Sequence, residues 1–503
     1  MQINKKFPDM EALGDAASEF ATEKPRAITW VMVITTLALV AVAVVPGIWP
    51  ATFERLHSIK VDTDPENMLA SDEPIRVFHN EAKKEFDLYD MMVVGIVNES
   101  DPDGVFNPES LARIHALTDH IQNLRWPDPE KPDAYHGVVG VDVIAPSNVD
   151  DIRQAGFGSV AFSWLMEKPP ETREEARGIR ERALRIPMLK DTMVSSDGQA
   201  LALYLPLTAK DISWNVRKEI QAFIADWPDE DQVHITGLPV AEDTFGVEMF
   251  YQMAISAPLA MLVIFILMWW FFGNLVLVIS PMIVALVTSL STMALLVITG
   301  NTIHIMSSMI PIFIMPIAVL DSVHILSESF DTYQRYGDRR KTMKAVMGHL
   351  FRPMLFTSLT TTAGFASLAL TPIPPVQVFG VFVAIGVMLA WLWSILFIPA
   401  YFMFIPEHRL ANFGHDASDD PGSRGLLGRA LQFSGNQAIA KRTWVGVATI
   451  ILMVTAVWGI NRIQINDNPT RWFTEDHPIR VADRVLNEHF AGTYTAFLEL
   501  ADT

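Results

Sequence analysis

Seven stretches of this chain are each long and apolar enough to cross a bilayer, which leaves a polytopic helical membrane protein as the fold class. A hydrocarbon core of about 30 Å needs about 20 mostly apolar helical residues. The first stretch is 27–48, "AITWVMVITTLALVAVAVVPGI", preceded by Lys24 and Arg26. It has no small-residue cleavage signature and reads as a retained anchor rather than a removable signal peptide. Five more crowd together at 253–272, 275–298, 308–328, 353–371 and 377–404, and the seventh covers 443–460. The composition agrees, with half of the 503 residues hydrophobic.

Basic residues mark alternate ends of these spans. Arg335, Arg339, Arg340, Lys341, Lys344 and Arg352 lie between the fourth and fifth, and Lys441 and Arg442 precede the seventh. The positive-inside rule then places the tail 1–26 and the linker 406–442 in the cytoplasm. Residues 51–250 and everything from 461 to 503 fall outside. The tail has apolar residues at helical spacing but an acidic polar face that anionic lipid would repel, so it reads as a weakly ordered cytoplasmic segment.

Several function classes drop out on composition. A net charge of −19 opposes nucleic acid binding, which needs clustered Lys and Arg. The absence of cysteine removes disulfides, thiolate chemistry and cysteine-ligated metals. No metal-ligand spacing, nucleophile elbow or phosphate loop is present, so neither an enzyme nor a cofactor is expected.

Between the first two spans the pattern changes to short apolar runs, amphipathic helices and turns. "YDMMVVGIVNE", "NPESLARIHALTDHIQNL" and "HGVVGVDVIA" read as strand, capped helix and strand. "QALALYLPL", "DISWNVRKEIQAFIADW" and "DQVHITGLPV" repeat that order. Two such units predict a periplasmic α+β domain of the ferredoxin-like, split β-α-β type.

The chain also repeats itself. "IKVDTDPENMLASDEPIRVFHNEAKKEF" from residue 59 matches "IQINDNPTRWFTEDHPIRVADRVLNEHF" from residue 463 without a gap, at a constant offset of 404. Pro65 pairs with Pro469, Asp72 with Asp476, Pro74 to Val77 with Pro478 to Val481, and Phe86 with Phe490. Each copy follows an apolar helix and places apolar residues at helical spacing after a proline suited to a helix start. The repeat leads to the expectation of one helical half followed by the start of a second repeat, truncated at Thr503, with a natural half-length chain that dimerises as the alternative. A lone fragment of this kind is expected to be unable to bury its apolar face.

One span carries ionisable groups. Asp321 sits in "PIAVLDSVHILSES", and an ionised carboxylate at mid-bilayer costs about 2.5 to 3.5 kcal/mol even on insertion scales. It is therefore expected to face protein or water. His324 and Glu328 continue roughly the same helix face, which predicts a proton relay of Asp321, His324 and Glu328. The blander reading is a membrane carboxyl that fixes helix contacts by hydrogen bonding. Ser322, Thr357, Ser358, Thr360 and Thr361 are candidate supporting hydroxyls. Pro311 and Pro316 are expected to break the helix, and Gly364 to permit close helix packing.

These residues carry a resemblance. The run "GNTIHIMSSMIPIFIMPIAVLDSVHILSESFDTYQRYG", then "RPMLFTSLTTTAGFASLAL" and "VFGVFVAIGVMLAWLWSILFIPA", resembles the resistance-nodulation-division (RND) superfamily. It is similar in particular to the branch of lipid and hydrophobe exporters related to mycobacterial membrane-protein-large and hopanoid transporters, and to sterol-sensing domains. The resemblance implies a bacterial inner-membrane transporter in which Asp321 matches the family's proton-binding acid. Many relatives are glycine-rich before that acid and aromatic after it, whereas here Ala318, Val319 and Leu320 precede it and Ser322 follows. The implied partners are protons, the bilayer and a hydrophobic or lipid-like substrate, and a homo-oligomer or a periplasmic partner is compatible with the plan. Two alternatives use the same helices: a non-transporting lipid or sterol sensor, and an accessory of membrane-coupled protein secretion.

Overall fold

The computed structural model describes residues 10–53, 55–62, 64–127, 135–410, 426–463 and 468–494. The chain divides into a helical unit, residues 1–61 and 253–466, and an α/β unit, residues 62–252 and 467–503. The helices are α1 (Met10–Glu23), α2 (Pro25–Ile48), α3 (Pro74–Glu85), α4 (Pro108–Ile121), α5 (Arg173–Arg185), α6 (Ser213–Phe223), α7 (Leu238–Phe272) and α8 (Leu275–Ile298). They continue with α9 (Ile305–Ser308), α10 (Ile310–Tyr336), α11 (Arg339–Ala366), α12 (Pro374–Phe404), α13 (Glu407–Leu410), α14 (Leu426–Ala440), α15 (Arg442–Ile460) and α16 (Pro478–His489).

In the helical unit, seven helices among the described residues have the length and hydropathy of membrane spans. They contain the seven stretches expected from sequence, apart from the last residue of 353–371, and several run further. α10 continues past the apolar run to Tyr336 and stops where Gly337 takes the left-handed conformation at φ +58°, which costs a glycine nothing. Asp338 then caps α11 by accepting the Lys341 backbone N–H at 2.9 Å. α8, α10 and α12 form the centre, joined by α2 and α11. α15 buries none of its residues.

The described part of the tail, from residue 10, is helical. α1 lies against α11 and α12 and buries Ser18, Ala21 and Thr22. Gly14 makes this possible, because a Cβ there would come 2.9 Å from Phe351 Cβ. Over residues 10–23 the expected weakly ordered segment is therefore a packed helix, and residues 1–9 lie outside the described residues. Its small residues offer close contact, a gain that charge patterning does not register.

In the α/β unit a central strand, Asp90–Val97, pairs antiparallel with Ala200–Leu207 on one side and Gln232–Thr236 on the other. Alternation sorts its residues. Met92, Val94 and Ile96 join a core with α4, α5 and α6, while Val93 and Val97 face the opposite way. The expected strand at 136–145 is discontinuous. Tyr135–Gly137 pairs with Arg125–Pro127, a 3₁₀ turn occupies Gly140–Asp142, and single bridges join Val138 to Leu207 and Ile144 to Tyr204. α4 starts where Asn107 accepts the Ser110 N–H at 2.8 Å, with Pro108 in its first turn.

The second copy of the repeat packs on this same unit. Ile479 joins the core shared with α4 and α6. Leu486 and Phe490 pack with Val93, Val97, Ala200 and Ala202 on the other face of the sheet, and Ala482 is buried as well. The fragment thus does bury its apolar face, contrary to expectation, because the first domain's sheet has a free apolar side that repeat arithmetic does not reveal. The first copy behaves differently. α3 buries no residue, and Ile75, Phe78 and Phe86 are 67%, 56% and 52% exposed.

Candidate functional site

α10 carries Asp321 into the helical core, where the residue is 5% exposed. Its neighbours Ala318, Val319, Ile325 and Leu326 are buried apolar residues. The Ser358 hydroxyl of α11 donates to Asp321 Oδ2 at 3.4 Å. Among the described residues, Asp321 makes no ion pair. A buried carboxylate in such a place is costly when charged, since removing an ion from water costs several kcal/mol and no opposite charge offsets it.

The other members of the expected relay diverge from it. His324 is exposed, because three residues on a helix leave two side chains about 60° apart and the core edge falls between them. Glu328 is further along the helix and half-buried, with His349 Nδ1 of α11 3.5 Å from its Oε1. Among the described residues no hydrogen bond joins Asp321, His324 and Glu328 into a chain.

The hydroxyls sort in the same way. Ser358 reaches Asp321. Ser322 donates to Ala318 O at 3.1 Å and meets Ser394 Oγ of α12 at 3.2 Å. Thr357 donates to Pro353 O, and Thr360 and Thr361 both donate to Thr357 O. These three threonines therefore serve their own helix and not Asp321, as Ser and Thr in helices often do. Ser394, in "AWLWSILF", is not among the hydroxyls expected from sequence, although a lone hydroxyl in an apolar run is a usable signal.

The proposed breaks and close contacts also resolve. Pro311 sits at the start of α10, where its missing N–H costs nothing, and only Pro316 lies inside the helix. A Cβ on Gly364 would meet no atom within 4 Å, so this glycine mediates no close packing among the described residues. The close approaches are made by α12. A Cβ on Gly380 would come 2.6 Å from Phe365 O, and one on Gly386 would come 2.2 Å from Ile314 Cδ1 of α10.

A protein-family model, that of the MMPL family, matches residues 146–453, more than half of the chain. The chain belongs to the MMPL family. A search among curated proteins found no match. The match takes in the second half of the α/β unit and all the spans except α2 and the last residues of α15. Family and helices together make this a multi-pass membrane protein, and the MMPL family points to an RND-type transporter of hydrophobic substrates.

Proposed function

We propose that this MMPL protein uses proton movement to export a hydrophobic or amphipathic molecule, such as a lipid, from the bacterial inner membrane or the periplasm. The observation that carries this reading is Asp321, a carboxyl buried in the core of a membrane bundle with a serine hydroxyl against it and no ion pair among the described residues. Its charge state changes the cost of each conformation that exposes or buries it. One elementary charge crossing 100 mV releases about 2.3 kcal/mol, which biases a two-state switch by about 50-fold.

In this reading the N-terminus is cytoplasmic, and the α/β unit is periplasmic with a split β-α-β plan of the ferredoxin-like type. The alternation of basic residues supports the orientation. The order of strands and helices along the chain supports the plan, with the bridges at Val138 and Ile144 standing for its interrupted strand.

The test is transport of a fluorescent lipid analogue by the protein reconstituted in vesicles under an imposed pH gradient. Asp321→Asn abolishes gradient-dependent flux while leaving insertion and elution unchanged. Flux equal to that of the unaltered protein would reject the proton-carrier role. Lipid binding without flux in the unaltered protein would point to a sensor instead.

A further inference from the structure

The α/β unit holds a cavity of about 350 Å³ that has no part in the Asp321 site. Its walls are α6, the edge strand Gln232–Thr236 and the start of α16. α6 contributes Arg217 and, about two turns later on the same face, Ile224. The strand adds Ile235, and the entry to α16 adds Asp476 and Pro478. The volume is at the low end of the range for small-molecule sites, about 300 to 1,000 Å³, which fits a compact ligand and not a long chain.

Two opposite charges line this cavity without pairing. Arg217 makes no ion pair among the described residues. One of its N–H groups donates to Thr244 Oγ1 at 3.2 Å, and its guanidinium carbon stands 4.7 Å from the centre of the Trp214 ring. Stacking covers a face of the guanidinium and leaves its in-plane donors for an oxyanion. The unused nitrogens are not sealed from solvent. The carboxylates whose charges act on Arg217 are engaged elsewhere. Asp243 accepts the Ser213 hydroxyl and the Trp214 N–H, and Glu248 lies 3.1 Å from His477 Nε2. Asp476 is exposed, and its carboxylate has no partner among the described residues. The complement of a guanidinium edge, a free carboxylate and an aliphatic patch is a molecule with a carboxylate, an ammonium and a hydrocarbon side chain.

We propose that this cavity binds a free aliphatic amino acid, with its carboxylate on the Arg217 fork, its ammonium on Asp476 and its side chain against Ile224, Ile235 and Pro478. A planar carboxylate takes two parallel N–H bonds from a guanidinium. Phosphate fits less well, since its second charge faces Asp476 with a single arginine to offset it. The ligand joins α6 to the start of α16, so binding holds α16 on its sheet and raises the melting temperature. The site stands whether or not Asp321 carries protons.

The experiment is calorimetric titration of the full chain in detergent with leucine, and saturable binding is the expected result. Isocaproate, which lacks the ammonium, and isopentylamine, which lacks the carboxylate, each bind about tenfold more weakly or worse, the scale of a hydrogen bond to a charged group. Glycine, which lacks the side chain, loses about tenfold or more as well. Arg217→Lys keeps the charge without the fork and weakens leucine about tenfold. Asp476→Asn, at an exposed position, weakens leucine by a similar factor but leaves isocaproate within about twofold, because that ligand has no ammonium to lose. A merely structural role for Asp476 weakens both alike. Asp321→Asn binds leucine like the unaltered protein, which separates this result from the transport test. No saturable heat with leucine in normally eluting protein would overturn the proposal. So would binding of inorganic phosphate or glycerophosphoethanolamine as tight as that of leucine, or equal losses of leucine and isocaproate in Asp476→Asn.

Discussion

Leu486 of α16 lies directly over Gly95 of the central strand, and a Cβ on residue 95 would come 2.2 Å from Leu486 Cδ2. The glycine is in mid-strand, where it forfeits packing and chain entropy, so its place there has a cost. Here the missing side chain is the seat for a helix that starts 383 residues later in the sequence. The flanking Val93 and Val97 complete the seat with Ala200 and Ala202 of the neighbouring strand.

Gly95→Ala tests that seat. Overpacking a close contact typically costs about 1 to 3 kcal/mol, and the clash here is with a buried leucine that has little room to retreat. Leu486→Ala removes the opposing side chain at a cost of about 2 to 5 kcal/mol. Thermal unfolding of the purified protein, followed by tryptophan fluorescence, is expected to show a lower transition for each change. In the double mutant the clash is absent, so its loss is smaller than the sum of the two.

How much of this was legible follows from what each feature depends on. Spans such as 275–298 and 377–404 could be read because crossing a bilayer is a demand on the segment itself, whatever its neighbours. The extensions of α10 and α11 could not be read by hydropathy, since polar helix beyond the hydrocarbon has no such demand. The repeat between α3 and α16 was visible, but the sheet face that receives α16 was not, because a pairing across hundreds of residues leaves no local trace. At Asp321 the acid itself stood out against its apolar run. Which of the neighbouring hydroxyls bonds to it depends on the rotation of α11, and among the described residues that is Ser358. The same rotation leaves Gly364 with no atom within 4 Å of an added Cβ, while the close glycine contacts fall on α12 at Gly380 and Gly386.

Transport should separate these hydroxyls. Ser358→Ala removes the hydrogen bond to Asp321 and is expected to change proton-coupled flux by up to about tenfold, the scale of one such bond. Thr361→Val, which breaks only a bond to its own helix, is expected to leave flux within about twofold. Equal effects from both would show that the Ser358 contact has no special role. Flux measured in reconstituted vesicles at matched protein content decides it.

An acid-dependent transition is expected in the α/β unit. Arg173 donates to both oxygens of Asp101, at 2.8 and 2.7 Å, and Arg177 donates to both oxygens of Asp103, at 2.7 and 2.9 Å. Hydrogen bonds from Arg173 hold the Asp101 carboxyl below its usual range, and those from Arg177, with Arg173, do the same for Asp103. A carboxyl whose folded pKa is depressed contributes stability above its unfolded value, near pH 4, and loses it as pH falls through the lower folded value. The melting temperature is therefore expected to fall with pH below about 4. Asp103→Asn lowers stability at neutral pH and flattens that acid dependence. The arginines are half-exposed or more, so the loss is modest.

The helical core offers a test with its own rescue. Gly386 of α12 faces Ile314 of α10, and an added Cβ would come 2.2 Å from Ile314 Cδ1 and 3.1 Å from Thr292 Oγ1. Gly386→Ala is thus expected to push α10 and α12 apart and lower the melting temperature of the detergent-solubilised protein, even though alanine is the better helix former by about 1 kcal/mol. Helix propensity and packing predict opposite signs here, and the 2.2 Å contact is short enough for packing to win. Ile314→Val deletes the Cδ1 atom that the new methyl would strike. Alone it costs about 0.5 to 1.5 kcal/mol, but combined with Gly386→Ala it should restore part of the lost stability, since Ile314 Cγ1, 2.9 Å from the added Cβ, remains. Additive losses in the double mutant would mean that the two helices do not meet at this pair.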